Sequence, residues 1–189
     1  YEFKSYAVFV ESEIELSEGT SLLAGVRFEK RETNYKDSEG IEFSPSENFW
    51  GGEISLNKDL HDNFLGYVSI ARGFKAGGFN IDGSLDSDLR EFNEEYLIEY
   101  ETGLKGAFFG DNLQVRLAIF MDDRRDQQVK SSLVRPRPDG STEFIDFLGN
   151  AAAGTNKGLE GSIVWELNPN WRLTLDAGLL RATFDEYIN

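Results

Sequence analysis

The chain has 189 residues, no cysteine and one histidine, His61. Thiol chemistry and a disulfide frame are therefore excluded, and any Ser/His arrangement for nucleophilic catalysis would rest on that one imidazole. His61 stands between Leu60 and Asp62 in a short polar stretch, the setting of a solvated turn residue. Carboxylates are plentiful: 34 Asp and Glu face 19 Lys and Arg, for a net charge of −15. Any two could serve as acid and base, but no spacing singles out a pair. Asp82, Asp86 and Asp88 resemble a cation-binding loop only loosely, because the glycine and closing glutamate of an EF-hand are missing. Gly77-Gly78 lacks the lysine and following helix of a phosphate loop. No catalytic residue, metal site or cofactor is predicted, and the acidity argues against nucleic acid as a partner.

A second set of charges is spaced to share a surface rather than a reaction. Arg27, Glu101, Lys105, Arg116 and Arg124 each fall on the polar parity of a segment whose other parity is apolar. Arg27 sits between Val26 and Phe28, and Glu101 and Lys105 oppose Tyr100, Thr102 and Leu104. Alternation with period two is the mark of a strand whose faces meet different surroundings. Several charges on successive inward positions suit a wet lumen better than a small dry core.

Eight such segments follow along the chain, beginning with Tyr6 to Leu16 and Leu22 to Arg31, then about Phe49 to Asn57 and Phe64 to Lys75. Glu94 to Phe108 and Leu113 to Met121 come next, the second carried on by the polar run Asp122 to Lys130. The last two open at about Lys157 and at Trp171. Their connections alternate short and long, and Pro136, Pro138 and Asp139-Gly140 mark a protruding hairpin tip. Each apolar stripe has about 9–11 residues, the length a tilted strand needs to cross a bilayer. Tight turns alternating with long loops are the pattern of an outer-membrane barrel with its tight turns in the periplasm. Trp50, Tyr96, Trp165 and Trp171, near stripe ends, suit interfacial girdles. A mean hydropathy of −0.42 leaves no helical span, which barrels do not need.

The fourth strand ends in GYVSIARGFKAGGFN (Gly66 to Asn80), where Gly73, Gly77 and Gly78 are expected to turn the backbone out of the sheet with positive φ. This run resembles a strand-to-loop signature of TonB-dependent outer-membrane receptors, with Ala71 in place of the more usual serine. Ala24 to Glu29, Tyr100 to Lys105, Phe120 to Val129 and Asn150 to Glu160 resemble further stretches of the same family, in the family's order. The resemblance implies an all-β fold: an antiparallel up-and-down transmembrane β-barrel segment of about eight strands, part of a barrel of about 22. Residues 1–189 would be a partial barrel domain without the plug domain or the aromatic-ended last strand.

The implied function is uptake across the bacterial outer membrane of a scarce ligand such as an iron–siderophore, cobalamin or a saccharide. The implied partners are outer-membrane lipid, the plug and remaining strands, and the TonB energy-transducing complex. The lumen-facing charges Arg27, Glu101, Lys105, Arg116 and Arg124 would line the wall facing the plug. Ligand contacts are expected on the long-loop side, from Phe79 and Asn80 in the glycine-rich loop and from Arg135 and Arg137, held outward at the hairpin tip. Parity puts Arg72 on the lipid face, so it must lie at the outer rim or be re-aimed by a bulge at Gly73. A self-contained eight-stranded structural or adhesive barrel is the alternative, and it requires the first and last strands to pair.

Overall fold

A computed structural model describes residues 2–36, 40 and 42–187. The alternating segments form β1 (Glu2–Ser17), β2 (Thr20–Lys36), a two-residue β3 (Glu42–Phe43), β4 (Ser46–His61) and β5 (Phe64–Lys75). Two more two-residue strands, β6 (Gly78–Phe79) and β7 (Glu91–Phe92), pair within the second long loop. They are followed by β8 (Glu95–Phe108), β9 (Leu113–Pro136), β10 (Thr142–Asn168) and β11 (Trp171–Tyr187). Among the described residues the only helix is one 3-10 turn, Ser87–Leu89. The eight long strands make one antiparallel sheet in the order β1-β2-β4-β5-β8-β9-β10-β11, so neighbours along the chain are neighbours in space. β1 and β11 share no ladder, which removes the small closed barrel as an alternative.

The register carries one face unbroken across the sheet. Val10 opposes Val26, Ala24 opposes Ile54, Ile54 opposes Ile70, and Ile70 opposes Tyr100. Leu104 opposes Leu117, Ile163 opposes Val115, and Leu175 opposes Ile163. Glu11, Arg27, Glu53, Ser69, Glu101, Arg116, Glu160 and Asp176 all stand on the other face, as the alternation predicts. The apolar face stays exposed, with Val8 at 67% and Leu179 at 72%, and closes on no dry core. In water such a face would be a large hydrophobic patch; in a bilayer it is the lipid contact surface.

The charges that end the apolar band show how the strands are tilted. On β1 the first lipid-side charge is Lys4, level through Glu32 with Ser46 of β4. On β11 it is Arg181, level through Lys157, Met121, Tyr100 and Ile70 with Ile54 of β4. The boundary thus slides from residue 46 to residue 54 in the β4 frame while crossing the sheet from β1 to β11. Eight residues are about 26 Å along a strand and seven strand spacings are about 34 Å, so strands lean by about 40° to the membrane normal. That is the tilt of transmembrane barrels.

Strand limits differ from the sequence reading mainly at polar ends. β4 continues through Lys58 to His61, leaving Asp62-Asn63 as the turn. β9 and β10 run far beyond the apolar band, and Gly149-Asn150-Ala151, read as loop, lies inside β10. Bulges interrupt the ladder of this long hairpin where Asn150–Gly154 faces Arg124–Gln128, with Asp126 at φ 52°.

Two glycines on the inner face allow close cross-strand packing. Tyr67 lies across its partner Gly103, where an added Cβ would be 2.5 Å from Leu117 O and 2.6 Å from Tyr67 Oη. Phe120 covers Gly158 in the same way. Gly103→Val should therefore displace the Tyr67 ring and destabilise the wall by about 1–3 kcal/mol. Denaturant unfolding of the barrel in lipid would show this as a lower midpoint, while a change at exposed Gly110, replaced by Asn, should leave it unmoved.

Candidate functional site

The long-loop end is held together by side chains that stand in for backbone partners. Asn80 donates from Nδ2 to Leu148 O (2.9 Å) and Leu89 O (2.8 Å), and its Oδ1 accepts from Leu148 N (2.8 Å). Loop 76–94 is thereby tied to β10, 68 residues away in sequence. Asn150 accepts from Asn93 N (2.6 Å), and Gln128 Nε2 donates to Ala76 O (2.9 Å) and Asn93 O (3.0 Å). Arg135 reaches the same loop at Ser84 O (2.5 Å) and Asp86 (2.9 Å).

Next to these ties, Phe79 stacks on Phe43 (5.7 Å, 5°) and tilts against Tyr35 (4.7 Å). Arg90 places its guanidinium 5.4 Å from the Phe43 ring centre, is 4% exposed, and leaves Nε and Nη2 without a hydrogen-bond partner. A buried guanidinium with two idle donors is a costly feature that an anionic group would relieve.

Gly77 and Gly78 are needed here for space. Neither has a positive φ, nor has Gly73, which stays inside β5 opposite Leu97; among the described residues the positive-φ glycines are Gly19, Gly40, Gly110 and Gly140. An added Cβ at Gly77 would lie 2.4 Å from Phe92 O and 2.6 Å from Glu47 Oε1. Arg31 donates to Gly77 O (2.5 Å) and pairs with Glu47 (3.5 Å). Burial nevertheless pushes the Glu47 carboxyl above the usual range, with Arg31 pulling the other way.

The inner wall below this cluster is rich in acid. Arg27 is paired with Glu29 (2.6 Å) and Arg124 with Glu95. Tyr67 Oη donates to Glu101 (2.6 Å), and Lys105 lies 4.5 Å from the Tyr67 ring centre. Arg116 stands opposite Lys105 and Ser162 on the same face as Glu160 and Asp176. All five charges expected to face the lumen are therefore on the polar face, spread along the wall.

Of the four loop-side residues, Phe79 and Asn80 belong to the cluster, Arg135 folds back onto the loop, and Arg137 pairs with Glu143 across the hairpin tip (2.9 Å). The outward pose expected for Arg135 is corrected by the carbonyl and carboxylate the loop offers it. Asp82 accepts from Ser84 N and Oγ, which holds its carboxyl below the usual range, and Asp86 is taken by Arg135. Among the described residues no cluster could hold a metal ion. His61 ends β4 and stacks on Phe64 (6.1 Å).

Arg72 needs no bulge, since the β5–β8 ladder passes Gly73 without a shift. It lies at the outer rim of the lipid face, 4.4 Å from the Trp50 ring centre and 4.7 Å from that of Tyr96, with Glu94 at 3.6 Å. Arg90 was missed by sequence reasoning; its one signal was being the lone base in the acidic loop IDGSLDSDLR.

A family model described as "TonB dependent receptor-like, beta-barrel" matches residues 1–188. The pesticin receptor of Yersinia pestis is 28% identical over 70% of this chain, and that of Yersinia enterocolitica 29%. The chain spans 18% of the length of these curated relatives. Among solved structures, the ferric yersiniabactin uptake receptor of Yersinia pestis is similar over 98% of this chain and 28% of its own, at 22% identity and TM-score 0.76. The ferric-catecholate import receptor of E. coli K12 is similar at 16% identity and TM-score 0.74, again over 98% of this chain and 28% of its own.

Two outcomes follow for the cluster. Asn80→Ala removes three hydrogen bonds and strands the Leu148 amide and carbonyl, loosening the loop by about 1–3 kcal/mol. Limited proteolysis should then cut within residues 81–90 markedly faster. Glu47→Gln mimics the protonated acid: because the folded pKa is raised, the native carboxylate costs stability as pH rises through it and costs nothing below the ordinary carboxylate range. The variant should gain over the parent at neutral pH, and a melting series should see that gain vanish on acidification.

Proposed function

Because the chain belongs to the TonB-dependent receptor β-barrel family, proteins of the bacterial outer membrane, we propose that residues 1–189 form part of the barrel wall of a siderophore uptake receptor. The observation that carries this reading is the pairing of one lipid-type face with one acidic face that opens onto a fixed loop cluster containing Arg90. Ligand enters from the loop side. The acidic face lines the lumen and meets the plug, whose basic groups balance Glu53, Glu101, Glu160 and Asp176. Energy for release comes from the inner membrane through the plug, so the wall itself performs no chemistry.

The ligand fitting this cluster is an iron chelate that presents carboxylate or phenolate oxygens. Arg90 supplies charged donors within the cluster, Arg137 adds one from the hairpin tip, where Glu143 holds it, and Phe79 supplies a flat apolar surface for an aromatic chelate ring. Asn80 and Arg135 act at one remove by holding loop 76–94 in place. The names of the similar receptors, for ferric yersiniabactin and ferric catecholates, agree with such a ligand.

The test is binding and uptake of ferric siderophores by the full-length receptor carrying Arg90→Ala or Arg137→Ala. Each loss of a charge-assisted hydrogen bond should weaken binding roughly tenfold. Loop-side readings for both residues fail if affinity and uptake are unchanged in a barrel that still reaches the outer membrane.

A further inference from the structure

Loop 76–94 is attached on two sides, and the two sides are built differently. Toward β9 and β10 its polar groups are matched, through the amide bonds of Asn80, Asn150 and Gln128. Toward β2 and β4 no ladder forms, because β6 and β7 pair only with each other. That arm is held by the ring contacts of Phe79 with Phe43 and Tyr35 and by the bond from Arg31 to Gly77 O.

The second seam collects buried polar atoms that find no partner. Arg31 Nε, Thr33 Oγ1, Glu47 Oε2, Arg90 Nε and Nη2, and Glu94 Oε2 are all in that state. Among the described residues only Asp122 Oδ1 shares it elsewhere. Such atoms give up water when the arm docks and gain nothing in exchange. Two of them are carboxylate oxygens, and their charges repel, since Glu94 and Glu91 face Glu47 from the return arm of the loop. From β2, Arg31 lies 3.5 Å from Glu47, and Glu94 is 3.6 Å from Arg72. Gly77 closes over Glu47 as well, so tightly that an added Cβ would be 2.6 Å from Oε1. Three acids thus converge where the arm closes, and the base set against Glu47 is Arg31.

A proton is the smallest group that relieves this seam, because it removes both the repulsion and the cost of a buried charge. We propose that the β6–β7 arm is a proton-operated flap, which docks on β2 and β4 with Glu47 neutral and loosens when Glu47 ionises. Burial chiefly holds the Glu47 carboxyl above its usual range, while Arg31 and the Gly77 amide pull the other way. Docking therefore takes up a proton. Closure is favoured below the ordinary carboxylate range and loses that support as pH rises through the raised value. Arg90 sits on the return arm with its guanidinium against Phe43, so loosening also opens its idle donors to an anion. That consequence alone rests on the proposed receptor reading.

The test follows amide hydrogen exchange of residues 77–92 in the full-length receptor, in lipid and without ligand. Parent and E47Q are compared at each pH between about 4 and about 8, which brackets the ordinary carboxylate value and the range above it. Comparison at equal pH cancels the pH dependence of exchange itself. As pH rises, protection of the arm in the parent should fall severalfold relative to E47Q, and the two should agree at the acid end. T33V replaces the stranded hydroxyl by a methyl of the same shape. It should raise protection at every pH and keep the parent's pH response, which separates the seam from the proton. Parallel curves for parent and E47Q overturn the flap, and a T33V arm less protected than the parent's overturns the stranded seam beneath it. Either failure leaves the uptake reading standing, because no ligand is used. Chelate binding indifferent to Arg90→Ala defeats that reading and leaves the pH response of the flap intact.

Discussion

In hydrocarbon no water is present to pair with a peptide group, so each amide and carbonyl must find a partner on a neighbouring strand. The rest of this structure follows from that requirement. Eight strands in chain order give each interior strand two ladders, and the ladder leaves side chains only two directions in which to point. Once the backbone is paired, sequence parity alone decides which residue meets lipid and which meets the lumen. A one-residue slip would drive Glu53, Glu101 and Glu160 into the bilayer together, so the register is held by the cost of burying charge as much as by hydrogen bonds.

Pairing every strand also creates a packing problem, because a wide barrel has no dry interior against which large side chains can pack. The inner face solves it within the sheet. Tyr67 lies on Gly103 and Phe120 on Gly158, so that an aromatic ring covers the bare backbone of the next strand. Tyr67 then presents its hydroxyl to Glu101 and its ring to Lys105, so a packing contact also positions two lumen charges. At the rim the same economy applies to Arg72, whose charge sits on the lipid parity but whose guanidinium is sandwiched between Trp50 and Tyr96.

The parts of the fold governed by period two were legible from sequence. Faces, strand order and the alternation of tight and long connections needed only the spacing of Val, Ile, Leu and the charges, and the family resemblance followed from short ordered stretches. What escaped was governed by contacts between distant segments. The extension of β9 and β10 beyond the membrane is polar on both faces and carries no lipid signal. Gly77 and Gly78 read as turn residues, yet what they provide is room for Phe92 and Glu47. Arg135 read as an outward tip residue because nothing local reveals that Ser84 and Asp86 lie within its reach. Arg90 was invisible for the same reason: its burial depends on Phe43, 47 positions earlier.

The loop cluster extends the backbone rule beyond the membrane. Up to the Ala152–Tyr187 pair, β10 is covered on one edge by β11; farther out, loop 76–94 takes over that edge. Asn80 offers Leu148 one donor and one acceptor, the pair a neighbouring strand residue would have offered, and Asn93 and Asn150 exchange bonds one step below. An exposed strand edge invites pairing with other chains, so a protruding hairpin of this length needs such a cover. The cover is made from side-chain amides on a loop rather than from a further strand. The glycine-rich run at the end of β5 thus joins the two regimes: its first half is committed to the bilayer ladder, and its second half begins the loop that covers β10.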